Sequence, residues 1–543
     1  MYCESDKKLL EKKGDFMQSE TRLIKVIILL SFSLFVMQNI YAEIRQMEPV
    51  ILIGTDLPDV YDVPIDQIQL FVNRDDLWVQ IPMQIDERST AGSLYEDDDG
   101  LWDENDELVF QPQDGGASVL ASNWIEDTES QSNSRYKIAV NDPAENDYTF
   151  VYLYYSSTIE DTVSTSYISY NDEEDAIITE DYKIGFDDQK LFWDEFRFKE
   201  GIDFSNDLMD REKMRINGTV WPFPEYTLSE NDFSPIDYWV KSGKIRVMRK
   251  VQNEVSVYGI TQTTEAEKHF YRSFLQVPDL TISVDESAGV TMIRRSYDLS
   301  SESVGAIIST SNNEFILVDG NPDPNVQTDI ELSEMSHYWI KMDFENKSLV
   351  TVSDFSGISD DFLLYYYDNS SGGTNDGTDD TGDMASYGDT GMRFNNPNAG
   401  EHIIKTNIYA SIENDLSGIT CQSYFDNSFE CEINEEVYVP VGISNDDVCL
   451  SSNISLSNYP NPFNPSTTIK FYLPTNSFVD LSIFNIKGQK IKQLIKEETP
   501  KGIKSVVWNG KDETGNFVSS GIYLYQIQTD QDQVSIKRMI LMK

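Results

Sequence analysis

The sequence predicts an all-β, multidomain chain built from antiparallel β-sandwiches, and three observations predict it. Apolar residues recur at period two in many short segments after residue 45, which is the signature of half-buried strands. No sustained 3.6-residue stripe runs between those segments. Tyr (29), Phe (27) and Trp (8) are plentiful enough to fill several cores. A length of 543 residues sets a prior of three or four domains.

The first element is a leader. In "LIKVIILLSFSLFVMQNIYA", residues 23–42, Lys25 precedes an apolar run from Val26 to Val36, and Ala42 stands before Glu43. The run is too short to span a bilayer. It fits a secretory signal peptide over residues 1–42, with Met17 as an alternative start.

Residues 45–170 read as a first β-sandwich. "QIQLFV" and "LWVQIPMQI" flank "NRDD" as a hairpin, and "DELVF", "YKIAV" and "YTFVYLYYSS" follow at strand lengths. Residues 171–412 carry longer strands. Ile245, Val247, Val251, Val255 and Val257 hold the odd positions of one such run, with a hairpin turn expected around Gln252–Asn253. "HFYRSFLQV", "VTMIRRSYDL", "HYWIKMDF" and "FLLYYYD" continue it, which makes a large central sandwich. In architecture it is similar to the broad supersandwich of carbohydrate-active proteins, and fold alone does not fix function. The Gly/Asp/Ser/Thr-rich stretch 368–391 is expected to be a long exposed loop. Residues 413–455 are expected to be a linker. Residues 456–543 form a small terminal sandwich of seven short strands.

The charge is 42 Lys+Arg against 93 Asp+Glu, a net −51. Such a surface repels phosphates and anionic lipid heads, so nucleic acid is excluded as a partner. It favours divalent cations, and it also simply keeps an extracellular protein soluble. In "YEDDDGLWDENDELVF", Asp97, Asp99, Asp103 and Asp106 cluster about Gly100. Calcium wants six to eight hard oxygens from a tight turn, so these four are the candidate calcium ligands. The spacing is not that of an EF-hand, and a solvated acidic loop is the alternative. Cys3 leaves with the leader. Cys421 and Cys431 flank a short loop and are expected to form a disulfide, with Cys449 left over. No CxxC pattern supports zinc.

Three histidines occur: His269, His337 and His402. "EKHFYRSF" puts His269 and Tyr271 on one strand face, with Lys268 and Arg272 on the other. Together with Arg246, Arg249, Arg294 and Arg295, they could bind an acidic sugar and abstract a proton beside a uronate carboxylate. The competing reading is a half-buried strand whose bases pair with the abundant acids. GxSxG, HExxH and P-loop signatures are absent.

The most specific signal is terminal. "YPNPFNP" places prolines that bar helix and stiffen the approach to the last domain. "LPTNSFVDLSIFNIKGQ", "WNGKDETGNFVSSGIYLY" and the basic end "KRMILMK" follow. Residues 456–543 closely resemble the type A C-terminal sorting domain of the type IX secretion system. That fold also resembles the Ig-like domain of flagellar hook-capping proteins. The resemblance implies export through an outer-membrane translocon. It further implies release or attachment at the surface of a Gram-negative, Bacteroidetes-like cell, often after removal of the domain. It supplies no catalytic residues. The resulting expectation is a secreted or surface protein with a β-rich body for binding, adhesion or envelope structure, its partners the translocon and an extracellular polysaccharide or surface ligand. The alternative is a secreted carbohydrate-active enzyme, a polysaccharide lyase or glycoside hydrolase.

Overall fold

A computed structural model describes residues 45–89, 93, 95, 99–187, 189–284, 289–329, 337–354, 361–413, 416–439, 455–459, 463–473, 476–485, 487–529 and 534–542. The fold is all-β and antiparallel. The chain divides into two compact units, one ending at Tyr438 and the other beginning at Val439.

The first unit opens with two sheets on one core. Val50–Ile53, Glu107–Phe110 and Met83–Asp86 form a three-stranded sheet, with Glu107–Phe110 in the middle. The second sheet runs Glu430–Val437, Ser134–Asp142, Asp147–Tyr155, Ile68–Arg74, Leu77–Gln80. Leu52, Leu70, Val72, Trp102, Leu108, Ile138 and Val151 fill the space they enclose.

One edge of that second sheet lies far along the sequence, within the stretch expected to be a linker. Glu430–Val437 pairs in full with Ser134–Asp142. Its alternation explains the placement: Cys431 and Ile433 pack on the core while glutamates face water. Ahead of it, Gly418–Asp426 is a helix capped by Ser417, whose side chain accepts from Thr420 N–H. Residues 416–437 are therefore structured parts of the body. The expected disulfide is corrected as well, because Cys421 and Cys431 are not bonded to each other. Cys421 faces a cluster with Val109, Val350 and Tyr409, whereas Cys431 packs against the first sandwich core. Cys449 lies outside the described residues.

The central sandwich has a nine-stranded sheet in the order Ser234–Ser242, Val247–Val257, Ile260–Phe270, Phe274–Val284, Gly400–Ser411, Lys347–Asp354, His337–Phe344, Ile307–Thr310, Ile316–Leu317. Two five-stranded sheets share its interior. One is a meander from Ile168–Asn171 to Asp203–Phe204. The other runs Glu225–Ser229, Met209–Thr219, Val290–Leu299, Ser386–Asn395, Asp361–Asn369. The long hairpin turns at Tyr258 and Gly259, both at positive φ, rather than at Gln252–Asn253. Those two residues sit mid-strand opposite Glu265 and Thr264. Two successive left-handed residues match the twist of a tight hairpin, so the turn belongs at a Tyr-Gly pair.

The acidic stretch within 368–391 is also corrected. Its ends belong to the strands Asp361–Asn369 and Ser386–Asn395, and residues 370–385 cover the outer face of their sheet. The carboxylates of Asp376 and Asp380 are buried there, against Arg294 (3.2 Å) and Lys213 (2.7 Å). The cations beneath them offset the cost of taking these carboxylates out of water.

The second unit has two sheets, Ser455–Tyr459, Thr467–Leu473, Gly502–Trp508 and Lys490–Thr499, Ser477–Asn485, Gly521–Thr529, Val534–Leu541. Its core is its own: Phe463, Ile469, Phe471, Leu481, Ile483, Trp508, Tyr525, Ile527 and Met539. Phe463, from the proline-rich stretch, is held by its N–H to Ile540 O at 2.9 Å and meets Trp508 ring to ring at 5.5 Å. Pro460 and Pro462 lie outside the described residues.

Candidate ligand-binding cavity

The central sandwich is not packed solid. A cavity of about 240 Å³ lies between the Val247–Val257/Ile260–Phe270 hairpin and the sheet holding Met209–Thr219 and Val290–Leu299. Its position follows from a break in strand pairing. Ile260–Phe270 pairs with Phe274–Val284 at His269–Gln276 and Phe270–Leu275. Two residues further on stands Pro278, which has no N–H to extend the ladder.

Met214, Ile216, Leu228, Phe233, Val255 and Ile293 make an apolar wall. The mouth is lined by Tyr258 and Ile260, which are 41% and 61% exposed. Phe223 stacks on Tyr258 with centroids 4.6 Å apart, and Trp221 nearby is 92% exposed. A cluster of exposed aromatic and aliphatic side chains at the mouth of an apolar cavity is the usual mark of a binding surface.

The cavity also has a charged part. On the Met209–Thr219 strand, Glu212, Met214 and Ile216 point inward, while Lys213 and Arg215 point to the opposite, covered face. Glu212 receives Lys268 Nζ at 2.5 Å and Arg295 Nε and Nη2 at 2.9 and 2.7 Å. Lys268 also donates to Leu191 O at 2.8 Å and sits 5.1 Å from the Trp193 ring centroid. All three side chains are almost fully buried. Burial disfavours the Glu212 carboxylate, but Lys268 and Arg295 override it and hold its pKa below the ordinary range. Burial pushes the Lys268 ammonium down to about 8 against the pull of Glu212.

The residues singled out for lyase chemistry do not gather in one site: Lys268 and Arg295 meet at Glu212, and the others lie elsewhere. Arg246 binds Asp86 (2.7 Å) and Glu107, with Tyr271 buried beside it. Arg249 forks onto Asp175 at 2.6 and 2.9 Å and covers the Phe186 ring. Arg294 lies between Asp376 and Asp389, on the face opposite Arg295. His269 pairs with Glu267, His337 with Asp426 (3.0 Å), and His402 with Asn398 O. Alternation did separate Lys268 from His269 and Tyr271. Glu212 was missed, since a glutamate within "DREKMR" carries no sequence sign of burial.

Of the candidate calcium ligands, Asp97 lies outside the described residues. Asp99 accepts from Leu101 N–H, Asp103 from Asn105 N–H, and Asp106 from the N–H groups of Arg88 and Asp103. Among the described residues no set of three or more His, Cys, Asp or Glu side chains gathers as a metal site.

Residues 457–542 match the model of the secretion system C-terminal sorting domain. No curated protein matches the chain. Among solved structures, an α-mannosidase from Enterococcus faecalis V583 aligns at 8% identity and TM-score 0.35, over 86% of this chain and 55% of its own. Dimeric latent PorU from Porphyromonas gingivalis aligns at 13% identity and TM-score 0.15, over 61% of this chain and 34% of its own. PorZ, a surface component of the type IX secretion system of the same organism, aligns at 11% identity and TM-score 0.14, over 72% and 61%. The chain thus spans about half the length of the mannosidase and a third of PorU. The terminal match stands apart from them: the C-terminal unit of this protein is a type IX secretion system sorting domain, and it directs the body ahead of it out of the cell.

Proposed function

We propose that the exported body is a binding protein of the outer surface of a Gram-negative bacterium, and that its central sandwich holds an apolar guest. The signal peptide at residues 1–42 supplies the first membrane crossing and the sorting domain the second. One observation carries the binding reading: an apolar cavity of about 240 Å³ with exposed Tyr258 and Ile260 at its mouth. Lys268 and Arg295 share Glu212, but the other basic groups and the histidines that an enzyme for acidic sugars would need are spread over separate ion pairs and hydrogen bonds away from the cavity. That arrangement supports a binding role over a catalytic one.

A neutral apolar dye tests the reading. Nile red is expected to brighten on mixing with the full chain. Val257→Trp, which puts a large ring into the cavity wall, should abolish the signal with the melting transition retained. Overpacking costs about 1–3 kcal/mol, tolerable for a body this large. Dye binding unchanged in Val257→Trp would refute the cavity as the site.

Calcium at Asp97, Asp99, Asp103 and Asp106 is a separate proposal. Millimolar calcium should raise the melting temperature, and Asp99→Ala with Asp103→Ala should remove the rise. An identical melting curve with and without calcium retires it.

A further inference from the structure

We propose that the guest is a single-chain anionic amphiphile, its acidic head against Lys268 and Arg295 and its chain along the apolar wall toward Tyr258 and Ile260. The proposal rests on the cavity being a binding site. It starts from a charge count. Lys268 and Arg295 share one anion, Glu212, while the neighbouring Arg249 is matched by Asp175, and Glu265, the other acid lining the cavity, is matched by Lys250 at 2.7 Å. The cavity's charged part therefore carries one positive charge in excess, inside a chain of net −51. An uncompensated buried charge is expensive, and an anionic head would cancel it.

Hydrogen-bonding capacity points the same way. The Glu212 oxygens are already taken by Lys268, Arg295 and the backbone N–H of Trp193. The Lys268 ammonium has three protons, of which two go to Glu212 and Leu191 O. A second polar group faces the same space. Asn253 lines the cavity, is 5% exposed, and its Oδ1 accepts no hydrogen bond among the described residues. A buried acceptor without a donor is costly and marks a place for a ligand group. An ionised head has no proton to give it, so Asn253 marks a place for a hydroxyl elsewhere on the guest and not for the anionic group. The rest of the wall is aliphatic and aromatic, which suits a hydrocarbon chain and offers a sugar little to bond.

Competition against bound Nile red tests the head-group preference. The full chain is titrated with dodecanoate, dodecanol and dodecyltrimethylammonium, each below its micelle-forming concentration. Dodecanoate is expected to displace the dye at a concentration at least about tenfold lower than the cation, with dodecanol between them. Arg295→Gln should erase that preference while leaving dye binding. Val257→Trp, which keeps every charge in place, should block the dye and all three competitors. Equal displacement by the three amphiphiles, a preference for the cation, or no displacement by dodecanoate overturns the proposal and leaves the cavity reading standing. The cavity reading itself falls if Nile red fails to bind or if Val257→Trp leaves its binding unchanged.

Discussion

Deleting residues 439–543 is expected to abolish surface display while leaving the melting transition of the body in place. The expectation follows from the separation of the cores. Among the described residues, Trp508, Phe463 and Tyr525 belong to one core cluster built from second-unit residues, and the first unit closes its own sheets, including the late strand Glu430–Val437. A point variant should reproduce the loss. Trp508 is fully buried, its Nε1–H donates to Lys511 O at 2.9 Å, and its ring meets Phe463 and Tyr523. Trp508→Ala removes that packing and costs about 3–5 kcal/mol. Small domains are stable by only about 5–15 kcal/mol, so the sorting domain would be partly unfolded in the variant. Both proteins should accumulate in the periplasm, as read by cell fractionation and surface proteolysis. Normal display of the truncated chain would show that export does not depend on the second unit.

The legible part of this fold was whatever alternation could report. The odd-numbered valines from 247 to 257 do form one strand, and Lys268 does part company with His269 and Tyr271. Polarity misled where charges neutralise one another in the interior. Asp376 and Asp380 look like solvent-facing loop residues, yet they are buried because Arg294 and Lys213 lie beneath them. The strand Glu430–Val437 looked like linker because its glutamates outnumber its apolar residues, although two inward positions suffice at a sheet edge. Arg294 and Arg295 read as binders of one acidic sugar, but adjacent strand residues face opposite ways. The cavity left one faint local trace, Pro278 within a strand. The cavity depends on where two successive strands, Ile260–Phe270 and Phe274–Val284, stop pairing, and alternation within each strand does not report that.

Glu212→Ala is expected to destabilise the body more than any other single change near the cavity. It leaves Lys268 and Arg295 buried without their anion, and breaking a buried pair in this way costs about 3–5 kcal/mol. For a body of this length that is a fall of roughly 4–6 °C in melting temperature. Replacing all three with Leu, Met and Met should recover most of the loss, because the pair offsets its own desolvation rather than adding net stability. The pH profile separates this account from simple loss of packing. Glu212 has a folded pKa below its ordinary 4.5, so its contribution is present above that value and disappears as pH falls through the folded pKa. Lys268 is the opposite case. Its folded pKa is about 8 against an ordinary 10.5, so between those values the unfolded chain holds a proton that the folded chain has lost, and stability rises with pH across that window. In Glu212→Gln the acid arm belonging to this residue should vanish, and the alkaline window should open at lower pH, because nothing then holds the proton on Lys268. A variant that melts lower but keeps the wild-type pH profile would mean that Glu212 acts by volume alone, and the excess positive charge inferred for the cavity would lose its basis.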